Sequence, residues 1–256
     1  MSILDLFSKQ GRTERARASN IKGAVNKFSQ SADRFRALQA LRDDGSSEAI
    51  YGLLRRFGIM YDKTIEDEQE KDWVFEVLSE KGMAILPSLK KYMREAESIS
   101  WPLRLLDKVA DRETELEALR EILERHEPGY ERDPTKKIQL LNHLAGLSDA
   151  RVPPIVAPYL GDMDEGVRYA AVEALVRQAD EAAAAPSLLA RFANAAEDSL
   201  RIRLQIAEGF ADLGWVVPAA ARDGVLKFLP DQFKLVKSDR QGERQDRIEK
   251  KPSAKD

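Results

Sequence analysis

Apolar residues recur along this chain at helical spacing, in runs of about 12–16 residues separated by short polar or glycine-bearing breaks. The pattern predicts helices in pairs: 32–43 with 47–57, 65–80 with 84–96, 101–110 with 113–126, 134–147 with 151–160, 165–179 with 182–196, and 199–213 with 217–229. The breaks carry the matching start and stop signals. Asp133, Asp164 and Asp198 each precede a first helix, where a carboxylate can accept from free backbone N–H groups. Ser100 stands before Trp101 and Pro102, and Thr64 with Asp67 forms a variant capping box. Gly45, Gly82, Gly161 and Gly214 fall at helix ends. No stretch alternates strictly for long enough to argue for a strand.

The pairs repeat. The last strong apolar residues of the first helices are Leu41, Leu78, Val109, Leu144, Leu175 and Phe210, at intervals of 37, 31, 35, 31 and 35 residues. A period in this range is the signature of stacked helix-pair repeats. The second helices give an independent ladder in which Pro87–Met93, Pro154–Leu160 and Pro186–Phe192 align column by column. Leu89, Val156 and Leu188 fill the third column, and Met93, Leu160 and Phe192 the seventh. Positions four apart share a helix face. The leading prolines are expected in first turns, where a missing N–H costs nothing, and Pro158 is expected to kink or shorten its helix. One pair cannot bury its apolar stripe alone, whereas stacked pairs can.

Asp164, Val167, Arg168, Ala170, Ala171, Ala174 and Leu175 compose a segment that resembles the bacterial HEAT-type repeat grouped with phycobilin-lyase repeats. Ile202, Arg203, Ile206, Ala207 and Phe210 are a degenerate version, and Lys137, Leu140, Leu141 and Leu144 a fainter one. The resemblance spans about residues 31–230. It implies an all-α, right-handed α-α superhelix of about six HEAT-like pairs whose second helices line a concave, partner-holding face. It also implies that Asp164 and Arg168 are structural residues between repeats, not catalytic ones.

Composition agrees with helices. The chain is 43% hydrophobic but only 7% aromatic, and its apolar set is rich in Ala, Leu, Ile and Val. The absence of cysteine excludes disulfides, thiolate zinc sites and cysteine nucleophiles. No apolar run reaches the ~20 residues of a membrane span, and the N-terminus has the reverse order of a secretory signal. A cytoplasmic monomer is expected. Charge is uneven: residues 1–30 carry +4 and 234–256 carry +3, leaving −10 for 31–233 of the total of −3. An acidic body is a poor match for nucleic acid.

Little chemistry is legible. His126 and His143 are the two histidines. His126 fits a helix C-terminus and His143 a partly exposed face, so no catalytic residue, cofactor or metal site is expected. Trp73, Trp101 and Trp215, with Asp107, would suit a HEAT-like alkylpurine glycosylase, yet their neighbours favour packing. A tetrapyrrole-lyase-like maturation factor is a second alternative, resting on fold analogy alone.

The reading favoured is a non-enzymatic scaffold that binds another protein. Its expected contact face is a set of basic residues off the apolar stripes of the second helices: Arg55, Arg56, Lys90, Lys91, Arg94 and Arg120. The acidic stretch 65–72 is expected to be the solvated start of a helix. Residues 1–30 form a basic segment: Ile3, Leu4, Leu6 and Phe7 could make a weak membrane or partner contact, and 19–29, with Ile21, Val25 and Phe28 on one face, could cap the first repeat. The cap is favoured. Residues 231–256 are expected to be a polar, disordered tail.

Overall fold

A computed structural model describes residues 9–240 and 243–252. The apolar face expected over Ile3, Leu4, Leu6 and Phe7 lies outside them. The described residues are predominantly helical and divide into two compact units, Met1–Ile122 and Leu123–Asp256.

In the first unit, α1 (Lys9–Ala24) is followed by the pairs α2 (Ser31–Asp44) with α3 (Ser47–Leu54), α4 (Thr64–Ser79) with α5 (Leu86–Glu95), and α6 (Ser100–Val109) with α7 (Arg112–Leu123). A turn of 3-10 helix extends α3 over Arg55–Gly58, and another precedes α5 over Gly82–Ile85. The core is aliphatic, with Leu38, Leu41, Leu53, Leu54, Leu78, Ile85, Leu89 and Met93 all without exposure. α1 packs on α2 and α3 and so covers the first pair. It starts ten residues ahead of the expected cap at 19–29 and stops at Ala24, leaving Phe28 98% exposed. Asn26 causes the stop: its backbone N–H turns back to Gly23 O and its side chain accepts from Phe28 N.

In the second unit the pairs are α8 (Thr135–Ala145) with α9 (Val152–Val156), α10 (Glu165–Gln178) with α11 (Glu181–Phe192), and α12 (Leu200–Leu213) with α13 (Arg222–Phe228). Pro158 ends α9 as expected, and the chain continues as 3-10 helix over Ala157–Gly161. Pro186 departs from expectation and lies inside α11. Asp180 caps that helix by accepting from Ala183 N at 3.1 Å, and the alanines after it start the helix ahead of the proline. Both ladders are buried, with Val109 alone half-covered among the first-helix positions.

Capping differs in detail. Asp164 caps α10 through Val167 N, but α12 is capped by Ser199 through Ile202 N while Asp198 is solvated. Ser100 is the first residue of α6, and Thr64 opens α4 without a capping box because Asp67 turns inward.

The 231–256 tail is a correction. β2 (Phe233–Arg240) and β3 (Glu243–Lys250) pair antiparallel, and the two-residue β1 (Val216–Val217) joins the other edge of β3 in the order β1-β3-β2. One face of the hairpin carries Phe233, Leu235 and Ile248, of which Phe233 and Ile248 are almost fully buried. Ion pairs from Arg222 to Asp246 and from Lys250 to Asp212 fasten it to α13 and α12. Two or three apolar residues on one face suffice for a strand, and the charged face between them hides the alternation.

Candidate functional site

In the first unit, α3 and α5 lie beside each other with α1 at one end. Ser46 caps α3 through Ala49 N, and Pro87 pre-sets the first turn of α5. Ser88 Oγ donates to Ser47 O at 3.1 Å, which pins the two second helices together. Between them is a groove of about 390 Å³ lined by Ile21, Glu48, Tyr51, Arg55, Pro87 and Lys91 among others. The Tyr51 ring stands edge-on to Tyr92 at 6.0 Å, the Lys91 ammonium lies 4.9 Å from its centroid, and its hydroxyl donates to Glu95. Burial and the Glu95 carboxylate push the Tyr51 hydroxyl above its ordinary value, and burial raises that of Tyr92 to about 12. Both are therefore neutral at physiological pH, and Tyr51 is a donor.

The six basic residues expected on one face part company. Arg55 and Lys91 are exposed at the groove and make no hydrogen bond or ion pair among the described residues. Lys90 and Arg94 both pair with Glu121 on α7, and Arg120 is exposed on α7 outside the groove lining. Arg56 is a correction, because it has no exposure at all. It donates from Nη2 to Asp67 Oδ1 at 2.7 Å, from Nε to Glu70 Oε2 at 2.9 Å and from Nη1 to Ile59 O at 3.0 Å. The cause is the 3-10 turn over 55–58, which winds more tightly than α-helix and carries Arg56 inward.

The stretch 65–72 is likewise only partly solvated. Asp67, Glu70 and Lys71 are buried, and Glu70 also accepts from Arg34 on α2 at 2.8 Å. Burial pushes the Asp67 carboxyl up, but hydrogen bonds from Lys71 and Arg56 outweigh it and hold it below its ordinary value. Tyr61 lies between the two guanidinium groups, with Arg34 4.0 Å and Arg56 4.2 Å from its ring centroid. Three cations, two carboxylates and one ring thus join two successive pairs. Each of these charges is matched by a partner from another element or turn, so the cluster is structural.

The second unit uses a related device twice. Arg168 holds Glu197, and Lys137 Nζ lies 2.9 Å from Asp162 Oδ2. Asp162 and Glu197 each stand two residues before the caps Asp164 and Ser199, and each accepts a 2.9 Å bond from that cap's N–H. Asp164 serves its own helix, whereas Arg168 ties α10 to the loop before α12. His126 Nδ1 is 2.7 Å from Glu131 Oε1, and His143 is half-buried on α8. Among the described residues, no group of three or more His, Asp or Glu side chains is placed to hold a metal ion.

The tryptophans pack. Trp73 stands edge-on to Phe35, Trp101 stacks on Phe57 at 5.4 Å under Arg104, and Trp215 is buried against Phe210. Asp107 is exposed on α6. No helix among the described residues is long and apolar enough to cross a membrane.

No protein-family profile matches the chain, and no curated protein matches it in sequence. Among solved structures, it is similar to human deoxyhypusine hydroxylase in complex with glycerol: 17% identity over 87% of this chain and 92% of that one, TM-score 0.32. An engineered protein aligns at 14% identity over 88% and 70% of the two chains, TM-score 0.40. At these scores neither carries a role across.

Proposed function

We propose that this is a non-enzymatic interaction protein of the HEAT-like repeat type, working in the cytoplasm, whose second-helix groove in the first unit holds an extended segment of a protein partner. One observation carries the reading. Arg55 and Lys91 flank a groove lined by Tyr51 and Pro87 and form no ion pair among the described residues, whereas Arg56, Lys90 and Arg94 are all spent on internal pairs. Free cations beside an aromatic and a proline suit a peptide with an acidic residue next to an apolar one. The HEAT-type resemblance around Asp164–Leu175 points the same way, because such repeats work through their surfaces.

The test is cross-linking of the full chain in its native cell extract, with mass spectrometry to locate the partner peptide. Cross-links are expected at Lys91 and on the groove rim, and Arg55→Glu is expected to abolish them while the fold is unchanged. Recovery of the same cross-linked peptide with the Arg55→Glu protein, or of peptides only away from α3 and α5, overturns the reading.

A further inference from the structure

The two faces of α1 do different work. The inner face packs: Ala24 is fully buried, Ile21 sits so close to Gly52 that a Cβ there would lie 2.6 Å from its Cγ1, and Arg17 pairs with Asp44 at 2.9 Å. The outer face carries Arg15, Ser19 and Lys22 at i, i+4 and i+7, with Arg12 one turn before and Lys27 just beyond the end, all exposed. Glu14 is the one acidic residue of the helix.

This basic face runs on into the turn that bears the exposed Phe28, and Met60 and Ile65 are exposed as well. Phe28 is 98% exposed, Met60 72% and Ile65 75%. They are held there by structure. Tyr61 OH donates to Ala24 O at 3.3 Å, and Arg34, stacked on the Tyr61 ring, donates to Ser29 O. The turn bearing Phe28 and the turn bearing Met60 are thus tied by one tyrosine and one arginine. The exposed charges next to these residues along the chain are Lys27, Asp62, Glu68, and Lys63 paired with Glu66. Single exposed apolar residues are common, but Phe28 and Met60 on two tied turns beside a basic helix face are a concerted feature.

We propose that this edge docks on an anionic lipid surface, with Phe28 and Met60 entering the headgroup layer and Arg12, Arg15, Lys22 and Lys27 facing lipid phosphate and carboxylate. Shallow apolar insertion alone is weak, and so is a short basic face alone; together they give the two signals that stable interfacial binding needs. Charge selects the occupant. Residues 31–122 carry −5, so an anionic surface repels the rest of the unit and attracts the outer face of α1. This surface is distinct from the groove and does not rest on its occupant.

The experiment is flotation of the full chain with vesicles of phosphatidylserine in phosphatidylcholine, against phosphatidylcholine alone, at low and high salt. Binding is expected to the anionic vesicles only and to weaken with salt. Phe28→Ser with Met60→Ser is expected to weaken it roughly tenfold, and Lys22→Glu with Lys27→Glu by at least as much, at roughly fivefold per basic residue lost. All four side chains are solvated, so the melting temperature of each variant should match the parent, and Arg55→Glu should bind vesicles as the parent does. No binding to anionic vesicles overturns the proposal. So does binding that the Phe28→Ser, Met60→Ser protein retains in full, which would be charge adhesion without a docking edge.

Discussion

Arg168 closes a two-point hydrogen bond on Glu197, Nε to Oε2 and Nη2 to Oε1, each at 3.0 Å, with Glu197 wholly enclosed. The pair ties α10 to the loop that launches α12. Removing one partner of such a pair strands the other. Arg168→Ala is expected to lower stability by about 3–5 kcal/mol. Replacing the whole triad, Arg168→Met and Arg191→Met with Glu197→Met, is expected to cost less than the single change, because no buried charge is left behind. Urea denaturation of the three proteins checks the order, with hydrogen exchange showing the loss concentrated in the second unit.

The same site sets an acid limb. Burial pushes the Glu197 carboxyl up, but the Ser199 N–H and the Arg168 and Arg191 guanidinium groups outweigh it and hold it below its ordinary 4.5. A carboxyl depressed in the fold contributes stability that is present above its unfolded value and lost as pH falls through its folded one. Thermal stability should therefore drop as pH is lowered below about 4.5. Asp67 adds to the limb in the first unit for the same reason. Glu197→Gln should lower stability at pH 7 and make the acid limb shallower, as read from melting temperature against pH.

Gly52 reports on the α1 cap. Alanine at a helix-interior glycine ordinarily stabilises by about 1 kcal/mol. Here its Cβ would meet Ile21 Cγ1 at 2.6 Å and crowd Leu41 Cδ1 at 3.3 Å. The expected outcome of Gly52→Ala is a net loss of about 1–3 kcal/mol, with faster amide exchange in α1 than in α4 or α5. Unchanged exchange in α1 would mean that the helix is not held by this contact.

The hairpin should stabilise the end of the second unit. Ile248 is 1% exposed on β3, which packs along α12 and pairs with β1 directly after the buried Trp215. Ile248→Ala is expected to cost about 2–4 kcal/mol. Truncation after Gln232 should also red-shift the tryptophan emission as Trp215 gains water. Emission unchanged by truncation would show that α12 and β1 enclose Trp215 unaided.

Several features could be read from local pattern. The first helix at 165–179 was predicted one residue too long, and Leu175 and Phe210 fall in the core as their spacing requires. The candidate groove was half legible. Arg55 and Lys91 were on the predicted basic face, but Tyr51, Pro87 and the Ser88–Ser47 bond that shape the site were not, because a groove is made by two helices and each sequence window describes one. Asp162 and Glu197 were missed as well, although their common place two residues before a cap was a signal available in the sequence.

By itself, the sequence determined the paired helices, the buried face of each and the cap at Asp164. Helical period and capping depend on residues within a turn or two of one another. Only the tertiary structure decided which charges are free and where the tail folds. Arg55 and Arg56 are neighbours of the same type, and one is solvated while the other is sealed by carboxylates 11 and 14 residues away. The strand around Ile248 needed β1 and β2 beside it to satisfy its backbone. Burying a charge or an extended backbone is favourable only when a partner arrives from another element, and that partner is fixed by the fold.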